Sequence, residues 1–398
     1  MKVLFLTDWY PTRDRIANGV FVREHAKAVR ASGVEVTVMH IPSQTGMGRG
    51  LWGMAQERDE ELTEGIATYR VSHRSIRFGG PLRRLSTALS YPLYIWSVVR
   101  ACRRLRAGGY RPELIHAHIF SAGVPAVVVG KLTGTPVVIT EHYSAFPSRT
   151  LSGASVRMAR FAFGNAARVL PVCLFLQKAI EAYGIRARFE IVPNTVDTAV
   201  FYPANGPARR DGPKRLLFVG NLEPTEIKGF PTLLAALTLL GERRRDWRLG
   251  VVGDGPRRAE YESRVAESPV SAAIAFRGAV KKGEVAELMR GSDMLVLPSR
   301  FENLPCVVIE AMASGLPVVS TTVGGIPELM SERDGILVAP DDPIVLADAL
   351  DRVLSNPDAF DRAGISARAQ ARYGLPAVGA QLRAVYEAVL SERSPVRS

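Results

Sequence analysis

The sequence predicts an α/β protein of two domains, from three observations. Short apolar runs alternate with helical stretches along the chain, the pattern of parallel sheets covered by helices. At 398 residues the chain exceeds the size at which one core stops growing, so two domains are expected. A run rich in Pro and Gly at 203–213 then supplies the boundary between a first domain of 1–203 and a second that opens at 214.

Val3 to Leu6 reads as a buried first strand, Phe21 to Ser32 as the helix after it, ended by Gly33, and Val34 to His40 as the second strand. Between the first strand and its helix lies TDWYPTRDRIANGVFVREHAKAV, where a doubly wound sheet places its ligand loop. Gly19 there lets backbone approach a phosphate or sugar, or it makes an ordinary connecting turn; Asp8, Asn18 and Arg23 are weaker candidates in the same loop. Residues 43–65 are Gly-rich and then acidic, and read as a mobile loop. From Arg74 to Arg106 basic and apolar residues are mixed. Leu85, Leu89, Trp96 and Val99 recur at helical spacing, with Arg100, Arg103, Arg104 and Arg106 close by. Such a stripe is either the core face of a domain helix or a face that rests on an anionic bilayer. Glu113 to His116 is a strand that leads into His116-Ala117-His118, a histidine pair with no acidic or Cys ligand nearby in sequence. Pro136 to Thr140 followed by Glu141-His142 repeats the strand-then-polar pattern. Ala167 to Val172 and Glu190 to Val192 read as the last strands of this half.

The second half begins with the strand Arg215 to Val219. GNLEPTEIKGF follows and opens a helix at Pro231. Lys228 is placed to meet a phosphate near that helix start. Arg248 to Val252 with GDGP is a strand and turn too short for a dinucleotide fingerprint, and Ala273 to Gly278 is a further strand. Met294 to Leu297 ends at Pro298 and a polar loop follows. Leu304 to Ala313 then has the composition of a buried helix, with Asn303 as its cap and Pro305 in its first turn. Glu302 stands just before that cap and Glu310 about two turns along. Unpaired N–H groups at such a helix start attract an anion. Carboxylates beside it fit a site that accepts hydrogen bonds from sugar hydroxyls; two solvated glutamates are the other reading. Gly324-Gly325 permits close backbone approach, and Pro327-Glu328 opens another helix. Asp342 to Leu354, Asp358 to Tyr373 and Ala377 to Leu390 read as helices.

SRFENLPCVVIEAMASGLPVVSTTVGGIPEL resembles the donor-site signature of the retaining, nucleotide-sugar-dependent glycosyltransferases of group 1, or family 4. The resemblance implies the GT-B fold, two Rossmann-like domains facing across a cleft, with the nucleotide held mostly by the second (214–375) and a C-terminal helix (376–398) that returns to the first. It also implies site residues. Glu302 meets the donor sugar and Glu310 the ribose, while Asn303 and Leu304 offer the helix start to the phosphates. The opening loop resembles the family's, which puts Gly19 by the donor phosphates. IHAHIFSAG resembles the segment whose second histidine, here His118, lies beside the donor sugar, with His116 structural; Glu141 and His142 then line the cleft. Gly278 and Val280 neighbour the base. This chain departs from the pattern at Asn221, where many relatives carry Arg, so one phosphate cation is missing or comes from Arg300 or Arg277. It departs again at Cys173, where Ser is commoner, and at Asn194-Thr195, where relatives write Asn-Gly, and Thr tolerates positive φ poorly.

The implied reaction is retaining glycosyl transfer from a nucleoside-diphosphate sugar, UDP being the commoner base, with His118, Lys228 and Glu302 as the catalytic set and no other cofactor. No Asp-x-Asp is placed to hold a metal, so no metal requirement is expected. Residues 1–205 hold 26 Lys and Arg against 14 Asp and Glu, and residues 206–398 hold 25 against 25. The first half therefore carries all the excess charge, which suits an anionic membrane surface or a glycan or lipid-linked acceptor. No nucleic-acid-binding signature accompanies it. Three scattered cysteines build neither a disulfide framework nor a zinc site and point to a reducing cytoplasm. No signal peptide or span is read, so the expected place is cytoplasmic, peripheral at the inner face of the membrane. A nucleotide-sugar epimerase and a non-catalytic subunit with a degenerate donor pocket are the rival readings, and nucleotide release to an acceptor alcohol separates them from a transferase.

Overall fold

The computed structural model describes residues 1–15, 18–42, 52–73, 83–204 and 212–392, and the side chains of 83–89 are not described. The chain divides into two units, Met1–Thr195 with Leu375–Ser398, and Val196–Gly374.

The first unit is built on seven strands: β1 (Lys2–Thr7), β2 (Glu35–His40), β3 (Trp52–Gln56), β4 (Ala67–His73), β5 (Leu114–His118), β6 (Val137–Glu141) and β7 (Arg168–Pro171). They lie in the order β3-β4-β2-β1-β5-β6-β7, and every pair is parallel except β3 with β4. Val3 to Thr7 are buried in succession, because helices cover both faces of a parallel sheet and leave no polar side to alternate with. Strand order reverses at β1, where Thr7 pairs with His40 on one side and His118 on the other. The connections after β1 and β5 leave for opposite faces, and a crevice opens at their C-terminal ends.

The C-terminal helix Leu375–Ser391 belongs to this unit. Val378, Leu382, Val385, Tyr386 and Val389 share one core with Val3, Phe5, Val22 and Val29. Gly379 permits the contact, since a Cβ there would stand 2.1 Å from the Ala28 carbonyl oxygen. The helix also reaches the sheet, where the Tyr386 hydroxyl and His116 Nδ1 are 2.6 Å apart and Thr140 Oγ1 holds the other ring nitrogen at 2.6 Å.

The second unit has six parallel strands: β8 (Lys214–Val219), β9 (Trp247–Val252), β10 (Ile274–Gly278), β11 (Met294–Leu297), β12 (Val318–Thr321) and β13 (Gly335–Val338). Their order is β10-β9-β8-β11-β12-β13. It reverses at β8, so this unit's crevice lies at the ends of β8 and β11.

Several expectations need correction. Residues 196–203, assigned to the first domain, fold with the second unit: Val196 N–H donates to Tyr373 O at 2.8 Å, Phe201 is buried, and Arg290 both donates to Val200 O and lies over the Tyr202 ring. The stretch 43–65 is not all loop. It contains β3 and a short helix Glu60–Thr63 capped by Asp59, while 43–51 lies outside the described residues. Glu190 to Val192 is no strand of the sheet, although the amides of Glu190 and Val192 donate to β7 carbonyls. In the helix Arg83–Ala107 the buried face runs through Tyr94, Val98, Ala101 and Leu105, and Trp96 points outward at 47% exposure. The stripe that included Trp96 and Val99 was thus one step off the true core face, and its Leu85 and Leu89 side chains and residues 74–82 are not described. Neither Asn194 nor Thr195 has positive φ, so Thr at 195 carries no penalty. No helix among the described residues is long and apolar enough to cross a membrane.

Candidate functional site

In the second unit, two loops that follow neighbouring strands are locked together, and this places Lys228 against Glu302. After β8 the chain turns through Glu226 to Gly229, and the helix Phe230–Arg243 begins. Gly229 has φ +67, and a Cβ there would fall 1.9 Å from the Pro298 carbonyl oxygen at the end of β11. Arg300 N–H donates to Ile227 O at 2.7 Å. On the other side Thr321 Oγ1 donates to Ser299 O at 2.6 Å, and Gly325 N–H donates to Asn303 O at 2.8 Å. Gly324, at φ +60, would put a Cβ 1.7 Å from Glu302 O. Only glycine fits at 229 and 324, and at 324 this is the physical content of the Gly324-Gly325 pair read in the sequence.

Held this way, Lys228 Nζ donates to Glu302 Oε1 at 2.6 Å, and Ser299 Oγ donates to the same oxygen at 2.7 Å. The Glu302 side chain is 9% exposed and that of Lys228 25%. A lysine and a carboxylate thus neutralise each other at the strand-order switch. Ser299 was not singled out in the sequence; its only signal is its place three residues before Glu302.

The helix beyond begins later than read. It spans Cys306–Ala313, and the cap position belongs to Pro305, which is extended and makes no side-chain cap bond. Asn303 is therefore not the cap. Proline disfavours helical backbone in the residue before it, so Leu304, which is buried, cannot join the first turn. Glu310 lies in the second turn of this helix. Asn221 is exposed just past β8, Gly278 is buried with φ +72 at the end of β10, and Val280 follows it. Arg300, one of the two candidate substitutes for the missing phosphate cation, has its guanidinium engaged by Asp341 at 2.5 Å and Glu226 at 2.9 Å. Arg277 is exposed on the edge strand β10. Asp342 caps the helix Pro343–Ser355 through the amides of Ile344 and Val345.

In the first unit, His118 ends β5 fully buried, with its Nδ1 3.3 Å from His142 Nε2. Ile119 next to it has φ +72 and ψ 144, a conformation a β-branched residue adopts only under constraint. The constraint is visible: Ile119 N–H donates to Thr140 O at 2.8 Å. Glu141 is not at the surface of a cleft but wholly buried. Its carboxylate accepts the amides of Phe120, His142 and Tyr143 at 2.8–2.9 Å, which ties the helix Phe120–Thr133 to the loop that carries His142. Burial nevertheless raises its pKa to about 7. Gly19, at φ +67, sits where a Cβ would meet the Trp9 carbonyl at 2.4 Å, so its glycine requirement arises within the loop itself. Asp8 accepts from Ser121 Oγ at 2.8 Å. His25, which nothing in the sequence marked, stands beside His118 and His142.

All six histidines precede residue 143, and burial is the leading cause of the downward shift of each, to about 4 for His25 and about 3 for His40. A base whose folded pKa is depressed stabilises fully above its unfolded value near 6.5, and that contribution is lost as pH falls toward the folded values. Between pH 7 and pH 5 each imidazole held neutral costs about 2 kcal/mol. Glu141 runs the other way, gaining as pH falls below 7, but it is one group against several. Hydrogen exchange should therefore show the first unit losing protection from pH 7 to pH 5 while the second, which has no histidine, keeps its own. Equal losses in both units would contradict this.

Comparison with known proteins agrees with the fold. Residues 19–200 match the family model described as Glycosyltransferase Family 4, and residues 213–356 match Glycosyl transferases group 1. The chain is a group 1 glycosyltransferase with the GT-B fold. It is 27% identical to the glycogen synthase of Mycobacterium tuberculosis over 92% of this chain and 89% of that one. With the D-inositol 3-phosphate glycosyltransferase of Pseudarthrobacter chlorophenolicus it shares 29% identity over 85% and 82%. Among solved structures it is similar to Anabaena HepE in complex with UDP, with a TM-score of 0.73 and 19% identity over 98% and 100% of the two chains.

Proposed function

We propose that the protein transfers a glycosyl group from a nucleoside-diphosphate sugar to an acceptor hydroxyl with retention at the anomeric carbon, in the synthesis of a cell-surface polysaccharide or lipid-linked glycan. The observation that carries this reading is the Lys228–Glu302 pair at the β8/β11 switch. Negative charge grows on the departing diphosphate, and a lysine at a helix start is the fixed donor that stabilises it. Donor binding draws Lys228 to the phosphates and frees Glu302 to accept hydroxyls of the sugar. Glu310, one turn further into its helix, takes the ribose. On the second unit, the helix start near Asn303 and Leu304 and the strand ends at Asn221, Gly278 and Val280 complete the donor pocket; the role of Gly19 beside the phosphates is proposed from the resemblance of its loop alone. The role of His118 toward the donor sugar is likewise proposed from the resemblance of its segment. Glu141, the carboxyl poised near neutrality, has both oxygens committed to backbone amides and is not a base for the acceptor. The acceptor proton passes instead to a donor phosphate oxygen on the same face, without a metal.

A UDP-sugar is the proposed donor, supported by the UDP complex of the similar HepE. The proposed acceptor partner is anionic or lipid-linked, and the first unit would approach it at an anionic membrane surface on the cytoplasmic side. Trp96 lies outward there beneath Arg100, which also covers Trp52 at 4.4 Å, an aromatic and basic pairing suited to a headgroup layer.

The test is nucleotide release with a panel of UDP-, GDP- and ADP-sugars, followed by NMR of the product's anomeric proton. Release with one donor class and an unchanged anomeric configuration is the expected result. Binding without release under every donor and acceptor favours a non-catalytic subunit, and inversion at the anomeric carbon rejects the mechanism.

A further inference from the structure

Three imidazoles of the first unit meet where the helix Val20–Ala31 passes the ends of β5 and β6. One ring nitrogen from each of His25, His118 and His142 lies within 4.8 Å of the other two. We propose that these residues form a binding site for a borderline-soft divalent cation, for which zinc is the probe. The site shares His118 with the proposed transfer machinery, but the cation takes no part in the transfer as proposed.

His25 carries the argument. Its Nε2 donates to Pro193 O at 2.9 Å, which fixes the tautomer and leaves Nδ1 as a bare lone pair. That nitrogen is buried with no hydrogen-bond partner, and buried polar atoms are seldom left so. An imidazole whose far N–H is held by a backbone carbonyl is the arrangement that metal-binding histidines use, because it orients the ring and fixes its protonation. The nitrogens that His118 and His142 turn toward each other, Nδ1 and Nε2, are 3.3 Å apart. That is long for a hydrogen bond but close to the roughly 3.3 Å between two nitrogens bound about 2.0 Å from one tetrahedral zinc. The widest pair of the three must close by at most about 1.5 Å to reach that spacing, and His142, only half buried on its loop, is the ring with room to move.

The chemistry selects the cation. Imidazole nitrogens suit zinc, copper or nickel, whereas calcium and magnesium demand oxygen ligands. Burial keeps all three rings in the unprotonated form that binds metal at neutral pH. Three protein ligands leave one position open to water. Occupation takes a ring nitrogen of His118, so the cation also slows transfer, a consequence that rests on the proposed function, whereas binding does not.

The experiment uses the full chain without an affinity tag, stripped with a chelator and desalted. Zinc is titrated against a chromophoric chelator, and cobalt by its visible absorption, with no donor or acceptor present. One equivalent of zinc and the intense cobalt bands of a four-coordinate site are expected. His25→Ala and His142→Ala should each weaken zinc by at least about 100-fold, while His73→Gln, on β4 away from the cluster, should not. His25→Gln, which keeps a donor for Pro193 O, serves if His25→Ala does not fold, and far-UV dichroism reports folding of each. Absence of stoichiometric zinc, or zinc held equally well by the His25 and His142 variants, would overturn the proposal and leave the transfer reading untouched.

Discussion

Lys228→Ala should lower kcat by about 10²–10³, or about 2.7–4 kcal/mol of transition-state stabilisation, with a smaller change in KM. The ammonium is the cation of the β8/β11 crevice that already lies against Glu302. Arg300 is engaged by two carboxylates, Asp341 and Glu226. The variant should keep its fold, because Ser299 still donates to Glu302 and the backbone locks at Gly229 and Gly324 are unaffected. Steady-state kinetics alongside a thermal melt check this. A variant that melts normally and turns over within threefold of the parent would show that Lys228 does not face the leaving group.

Gly324→Ala should be nearly as damaging, for a geometric reason. At φ +60 with a Cβ position 1.7 Å from the Glu302 carbonyl oxygen, an alanine has no way to stay. The loop 299–303 must move, and Glu302 moves with it. A misplacement of about 1 Å in a catalytic group costs on the order of 10² in rate, while the left-handed backbone itself costs about 1–3 kcal/mol of stability. Gly283→Ala is the control. That glycine is in a helix with nothing near its Cβ position, so it should be neutral or slightly stabilising. Equal kinetics for the two alanine variants would show that the Gly324 contact does not position the site.

The sequence was most informative where structure is local. Strands buried on both faces announce themselves as unbroken apolar runs, and β1, β5 and β11 were read nearly to the residue. Lys228 and Glu302 were legible because each follows such a strand by a short loop, so their meeting needs only the adjacency of β8 and β11. The helix after Glu302 was read two residues early because composition, not the Pro305 constraint on Leu304, was allowed to set its start. Trp96 was misplaced for a related reason: a helix with both a buried face and an aromatic, arginine-covered outer face has no single apolar stripe. What could not be read depends on tertiary contact. His25 becomes notable only when Pro193 reaches it across 168 residues. Glu141 looked like a polar residue at a strand end, and only the three amides around it reveal a positioning role. Residues 196–203 side with the second unit through a backbone bond between Val196 and Tyr373 that no linker composition encodes.

The central claim is that a nucleoside diphosphate sits on the second unit at the ends of β8 and β11. Isothermal titration of the full chain with UDP, GDP and ADP, repeated on Lys228→Ala and Glu310→Ala, tests it most directly. The account predicts one equivalent of one nucleotide, weakened in both variants. No binding of any of the three, or the same affinity in parent and Lys228→Ala, would contradict it.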